Sequence, residues 1–221
     1  MTTTRRTRTR GVSTAELLVG ATLGLVGLGA LYSVFSAQQK AVRAQNAYAE
    51  TQSATRAVVD LMSRELRMAT YDPTGAALIT STGPACPGVK QGLDEATATR
   101  VRFRQDLNGD TATSGAGESI TYEASNGQLV RSDGADTPVV MASGLPQNGF
   151  QFRYYTGGNP SIELVPGGSP AALTAAQRDC VARVQITLTA SLANPDPNIT
   201  RPLTSQVSSA VAIRNRSLAN F

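Results

Sequence analysis

Apolar and polar positions divide the chain into three regimes. Residues 17–37, LLVGATLGLVGLGALYSVFSA, form an uncharged, mostly apolar run of 21 residues. As a helix rising about 1.5 Å per residue, such a run spans a bilayer core of about 30 Å. The pattern then changes. Ala44, Ala47, Tyr48, Thr51, Ala54, Val58, Leu61, Met62 and Leu66 recur at spacings of roughly three and four, one face of an amphipathic helix. No Gly or Pro interrupts this stretch until Pro73, a stop signal. The two regimes predict one helix from about 13 to 70. The charged cluster Arg64, Glu65 and Arg67 is assigned to its solvated side, the usual place for charges on a helix, with contact to a neighbouring subunit as the alternative.

The third regime alternates. TRVRFRQ (99–105), SITYEA (119–124), QLVRSD (128–133), TPVVMASGL (137–145), FQFRYY (150–155), VARVQITLTAS (181–191) and VSSAVAIRN (207–215) read as strands. Asn126-Gly127 between the second and third is a hairpin signal. Gly- and Pro-rich loops separate the others, notably 156–172. The expectation is an α+β chain, a long N-terminal helix packed on an antiparallel β-sheet.

Charge narrows the functional classes. The net charge is +4, and Arg5, Arg6, Arg8 and Arg10 account for it. Beyond Gly11, basic and acidic side chains balance, so the folded part carries no basic excess of the kind nucleic-acid binding uses. The chain has no His, and no phosphate loop, dinucleotide fingerprint or G-x-S-x-G motif is present. An enzyme is not expected. Cys86 and Cys180 allow a single intramolecular pairing. Outside the cytoplasm they read as a disulfide, and inside it as two buried thiols.

Arginines before the apolar run and a polar domain after it place the N-terminus in the cytoplasm and export the rest. The apolar run is longer than the 7–15 residues usual in a cleaved signal peptide, and only a weak small-x-small site follows. A twin-arginine signal fits less well. Glu16 then demands a reason, because it opens the apolar run and no further charge occurs until Lys40. A carboxylate at bilayer depth costs roughly 2.5–3.5 kcal/mol on insertion scales.

The succession of a basic leader, Gly11, Glu16 five residues on and an apolar stretch resembles the class III signal of type IV pilins and type II secretion pseudopilins. That resemblance implies peptidase cleavage between Gly11 and Val12 and N-methylation of Val12. It assigns Glu16 to neutralising the amino terminus of a neighbouring subunit in a filament core. The segments VVDLMSRELRMA, RFRQDLNGD to ITYEASNGQLVR, and VQITLTAS with SSAVAIRN resemble larger minor subunits, the J-type minor pseudopilin and the W-type minor pilin. The implied fold is pilin-like. The implied division is a leader (1–11), a transmembrane or filament-core helix (12–37), an amphipathic continuation (38–72) and an extracytoplasmic β-rich domain (73–221). Implied partners are other minor and major pilins or pseudopilins, the prepilin peptidase and the inner-membrane assembly platform. The location would be the inner membrane, with the C-terminal domain periplasmic or extracellular, and then the pilus or pseudopilus. The alternatives are an anchored adhesin or receptor module that never assembles, and a DNA-uptake pilus subunit.

Two further features bear on sites. Gly20-x-x-x-Gly24 is a small-residue spacing that lets helices approach closely. Asp106, Asn108 and Asp110 set oxygen-bearing residues at alternate positions, which suits calcium. An EF-hand would place Gly where Thr111 stands and an acid where Gly117 stands, with Glu118 one place late. A turn between strands accounts for the same residues.

Overall fold

The computed structural model describes residues 11–82, 86, 88–134, 136–194 and 199–215. The predicted leader residues 1–10 lie outside them. The chain divides into two compact units, Met1–Asn46 and Ala47–Phe221. Helix α1, Thr14–Met68, contributes to both.

Over residues 17–37 α1 is uncharged and mostly apolar all round, and nearly all its side chains are exposed. Leu17, Leu23, Val26, Leu28 and Leu31 are each more than half exposed. Among the described residues it is the one helix long and apolar enough to cross a membrane. Its hydroxyls are satisfied inside the helix: Thr22 donates to the Val19 carbonyl and Ser33 to that of Ala30. Such back-bonding lets polar side chains sit on a lipid-facing helix without stranded donors.

The second unit is α+β, with α1 packed on antiparallel sheets. Among the described residues nine strands follow: β1 Leu93–Ala96, β2 Arg100–Arg104, β3 Ser119–Ser125, β4 Gln128–Asp133, β5 Val139–Ser143, β6 Phe150–Thr156, β7 Glu163–Leu164, β8 Val181–Leu192 and β9 Leu203–Ala212. A short helix, α2 (Ala175–Asp179), precedes β8 and is capped by Thr174 and Gln177 in a capping box. The expected single sheet is two. The order β1-β2-β3-β4-β5 is an antiparallel meander, and the other sheet runs β7-β6-β8-β9. Backbone bonds join them where strands meet: Phe152 N–H to the Ala98 carbonyl, and Ser191 N–H to that of Gly144. Gly144 has φ +71°, and a Cβ there would stand 2.9 Å from the Ser191 carbonyl oxygen, so the junction needs glycine.

Alternation builds the core. Phe103, Ile120, Tyr122 and Leu129 come inward from the meander, and Phe152, Tyr154, Val184, Ile186, Leu188 and Val211 from the second sheet. α1 inserts Val58, Val59, Met62 and Leu66 among them. The buried face also includes two polar residues, Thr55 and Ser63. Thr55 returns its hydroxyl to the Thr51 carbonyl, and Ser63 donates to Ser209 on β9. The upstream part of the expected face is less covered, with Tyr48 40% exposed.

Candidate functional site

The sequence candidates fall into separate groups. Gly11, Val12, Glu16, Gly20 and Gly24 belong to the first unit. Glu16 lies in the first turn of α1, where the helix dipole favours an acid. Val12 is 72% exposed. A Cβ added at Gly20 or Gly24 meets nothing within 4 Å, so neither glycine is required by the fold of the isolated chain. What this segment offers chemically is a carboxylate at the head of an uncovered apolar helix.

Cys86 and Cys180 form a disulfide with Cα atoms 5.4 Å apart. It links the segment ahead of β1 to the residue between α2 and β8. Beside it Asp179 Oδ2 accepts from Ser81 Oγ at 2.6 Å and from Gln91 Nε2 at 3.1 Å.

The loop between β2 and β3 holds the acidic candidates. Carboxylate oxygens of Asp106, Asp110 and Glu118 gather within 4.8 Å. Asp106 and Glu118 are buried, and Asp110 is exposed. The predicted trio had Asn108 in place of Glu118. Asn108 instead donates to Asp110 Oδ2 and accepts from the Asp110 N–H, both at 2.9 Å. Glu118 enters because β2 and β3 are antiparallel neighbours, which folds residue 118 back beside 106. Every oxygen of the three carboxylates already accepts an N–H. Glu118 receives Leu107, Asn108 and Gly115, Asp106 receives Gly109 and Thr111, and Asp110 receives Ala112 and Asn108. The donor set is the hard-oxygen type that calcium takes, and the loop also closes on these acids through its own amides.

One constellation was not foreseen, and it corrects the assignment of Glu65 to a solvated face. Arg64 and Arg67 are exposed, but Glu65 turns onto the meander sheet. Its carboxylate accepts the hydroxyl of the fully buried Tyr122. Arg131 Nη2 lies 2.9 Å from Glu65 Oε1, and its Nε reaches both oxygens at 3.1 Å. Arg131 also reaches Asp133 Oδ2 at 3.4 Å, and Asp133 accepts the Gly117 N–H. Burial, with the Glu65 carboxylate beside it, pushes the Tyr122 hydroxyl above the usual tyrosine range. Burial works against the Arg131 charge, but Glu65 outweighs it and the guanidinium is held more firmly protonated. The signal available in sequence was the i, i+3 relation of Glu65 to Met62, which places it at the margin of the buried stripe.

Another buried acid anchors the turn after α1. Asp72 accepts N–H groups from Gly75 at 2.8 Å and Leu78 at 3.0 Å, and pairs with Lys90 at 3.2 Å.

No family model, no curated protein and no solved structure matches this chain.

Proposed function

We propose that the chain is a minor pilin or pseudopilin, a structural subunit that enters a type IV pilus or type II secretion pseudopilus through its N-terminal helix. The observation that carries this reading is the position of Glu16. It stands five residues after Gly11, at the head of an apolar helix whose continuation is the core helix of a β-rich domain. A carboxylate there is costly in lipid and is tolerable when an ammonium and hydrogen bonds meet it. Cleavage after Gly11 would create one such ammonium per subunit, at Val12. The exposed apolar side chains of the first unit suit lipid before assembly and neighbouring helices after it. Gly20 and Gly24 would set the closeness of that packing. The disulfide fits a domain that folds outside the cytoplasm. The partners are other pilin-like subunits, the prepilin peptidase and the inner-membrane platform, with placement in the tip or priming complex.

The test is the intact mass of the chain purified from its native membrane. The expected product starts at N-methylated Val12, and Gly11→Ala abolishes or markedly slows its formation. A chain that retains residues 1–11 refutes the reading and leaves a simple anchored domain. Glu16→Ala is expected to be cleaved but to be lost from filaments. Normal incorporation of that variant removes the role given to the acid.

A further inference from the structure

Arginines of the second unit sort into two groups. Those on the sheets are matched. Arg100 pairs with Glu95, Arg102 and Arg104 with Asp94, Arg131 with Glu65 and Asp133, and Arg153 with Glu163. Arg178 donates to the Leu173 carbonyl, and Arg183 lies over the Tyr155 ring and donates to Ser161. Among the described residues Arg56, Arg64, Arg67, Arg201 and Arg214 have no such match, and all are exposed. All of these but Arg64 gather around β9. Arg201 and Arg214 stand beyond its two ends. Arg56 and Arg67 lie on the side of α1 that flanks it. On that side Ser63 donates to Ser209 of β9, and the Asn215 side chain reaches the Arg67 and Met68 carbonyls. Arg56 is seven residues before Ser63 and Arg67 four after, so both share its stripe. Asp60, three residues before Ser63, is the acid on that stripe.

β9 is also an open edge. It pairs with β8 from Leu192↔Leu203 to Arg183↔Ala212 with no register shift. Its sequence, LTSQVSSAVA, has no charge and no proline. Proteins generally blunt such edges with charges, bulges or brevity, and the chain's other edges show these devices. β1 is bulged and its acids are held in ion pairs, β5 is bulged against β4, and β7 is two residues long. Ile213 N–H bonds the Ala182 carbonyl in register with the β8–β9 ladder, so odd residues of β9 bond β8. Thr204, Gln206, Ser208, Ala210 and Ala212 turn N–H and C=O to the outer edge. Among the described residues no backbone bond reaches them.

We propose that the β9 edge receives an extended acidic segment of a different protein, which adds to the sheet as a further strand. The outward N–H and C=O groups supply main-chain pairing, and the arginines supply the charge preference. From Arg201 to Arg214 is about 43 Å of extended chain at about 3.3 Å per residue. A segment of about fourteen residues covers it, with acids near both ends and an uncharged middle. Arg56 and Arg67 stand roughly 16 Å apart along α1 and favour further acids on the face turned to the helix. A second copy of this chain does not fit. Another β9 laid here antiparallel sets Arg201 of one copy near Arg214 of the other, and laid parallel it sets each arginine near its counterpart, like against like. The acids of β1, Asp94 and Glu95, are already held by arginines. A nucleic acid would meet the arginines but leave the row of main-chain groups unanswered. A single added strand falls short of the roughly 1,000 Å² of a stable interface, so the contact is transient and salt-sensitive. Every residue of this edge lies in the second unit, and the edge serves a filament subunit and an anchored receptor alike.

The experiment uses the full-length chain in detergent and an array of capped synthetic peptides of about fourteen residues. All share a middle of alternating Thr and Val, and their ends are acidic, neutral or basic. The expected result is that acidic-ended peptides bind about tenfold more tightly than neutral ones, that basic ones do not bind, and that binding weakens as salt rises. Ala210→Pro removes one outward N–H, leaves the bonds to β8 in place and abolishes binding. Arg201→Glu with Arg214→Glu weakens the acidic peptides about tenfold or more. Formation of the native disulfide shows that each variant folds. N-methylation of alternate peptide residues makes the same test without altering the protein: one phase abolishes binding and the other leaves it intact. Equal binding of acidic and neutral peptides, no binding of either, or full-strength binding to a folded Ala210→Pro chain overturns the proposal. So does tighter binding of a single-stranded oligonucleotide, or self-association of the chain that the peptides disperse.

Discussion

Replacing Glu65 by Gln tests how α1 is held on the meander sheet. The substitution keeps shape and one acceptor for Tyr122 but removes the charge that Arg131 grips. The side chains of Glu65 and Arg131 are about four-fifths buried, at 19% and 20% exposure. An exposed pair would be worth about 0–1 kcal/mol, and breaking a fully buried one costs about 3–5 kcal/mol. Charge-assisted hydrogen bonds contribute about 1.5–3 kcal/mol. A loss of about 2 kcal/mol is expected for Glu65→Gln. Arg131→Gln should cost at least as much, because it leaves a mostly buried carboxylate with only the Tyr122 hydroxyl. The double variant should lose about 1 kcal/mol less than the sum of the two, the signature of a direct pair. The assay is urea unfolding of the full chain in detergent, followed by near-ultraviolet dichroism of its tyrosines, which reports the β-rich unit. If Glu65→Gln stays within about 0.5 kcal/mol of the parent, as ordinary surface changes do, the carboxylate is solvated and the network is not an anchor.

Two further outcomes follow from the Asp72 turn and the disulfide. Burial alone would raise the Asp72 carboxyl, but the N–H groups of Leu78 and Ala77, with Lys90 and Thr74, outweigh it and hold it at about 2 against an ordinary 3.8. At about 1.4 kcal/mol per pH unit this contributes about 2 kcal/mol, present above pH 3.8 and lost as pH falls through about 2. Asp72→Asn should therefore be less stable than the parent at neutral pH and converge on it in acid; parallel melting curves down to pH 2 would refute this. Removing both cysteines, as Cys86→Ser with Cys180→Ser, releases a closure spanning 94 positions. Chain entropy puts the cost at about 4–5 kcal/mol. A urea midpoint shift worth less than about 1 kcal/mol would mean the unfolded chain is already compact there.

Local pattern revealed most elements and few of their partners. The Asn126-Gly127 turn was legible because both residues need positive φ, and they have it at 51° and 72°. β6 and β8 were legible because inward aromatic and branched residues alternate with Gln, Arg and Thr. β1, LDEA, was missed because both of its middle residues are acids held by arginines of β2. β7 was hidden inside loop 156–172, since two residues have no period. β9 begins at Leu203, four residues before the predicted start, because Thr204 and Gln206 face outward and weaken the apolar signal. The division into two sheets, the turning of Glu65 onto Tyr122 and the return of Glu118 to Asp106 depend on residues 12 to 66 positions apart. No window of local periodicity contains them. The first unit was read from composition, and its helix follows, while the roles of Gly11, Val12 and Glu16 rest on motif and await the mass measurement.

The disulfide also decides where tension would travel. A pull entering through α1 and leaving through β9 reaches Cys86 soon after the helix ends. It crosses the covalent link to Cys180 and passes directly into β8. Strands β1 to β7 lie off that path. Without the link, the same pull could pay out the intervening 94 positions, on the order of 300 Å of slack at about 3.3–3.6 Å each. With it, the covalent line under tension is short: one helix, the segment from its end to Cys86, one sulfur bridge and the β8–β9 pair. The remaining strands pack against that thread without carrying the covalent line of pull.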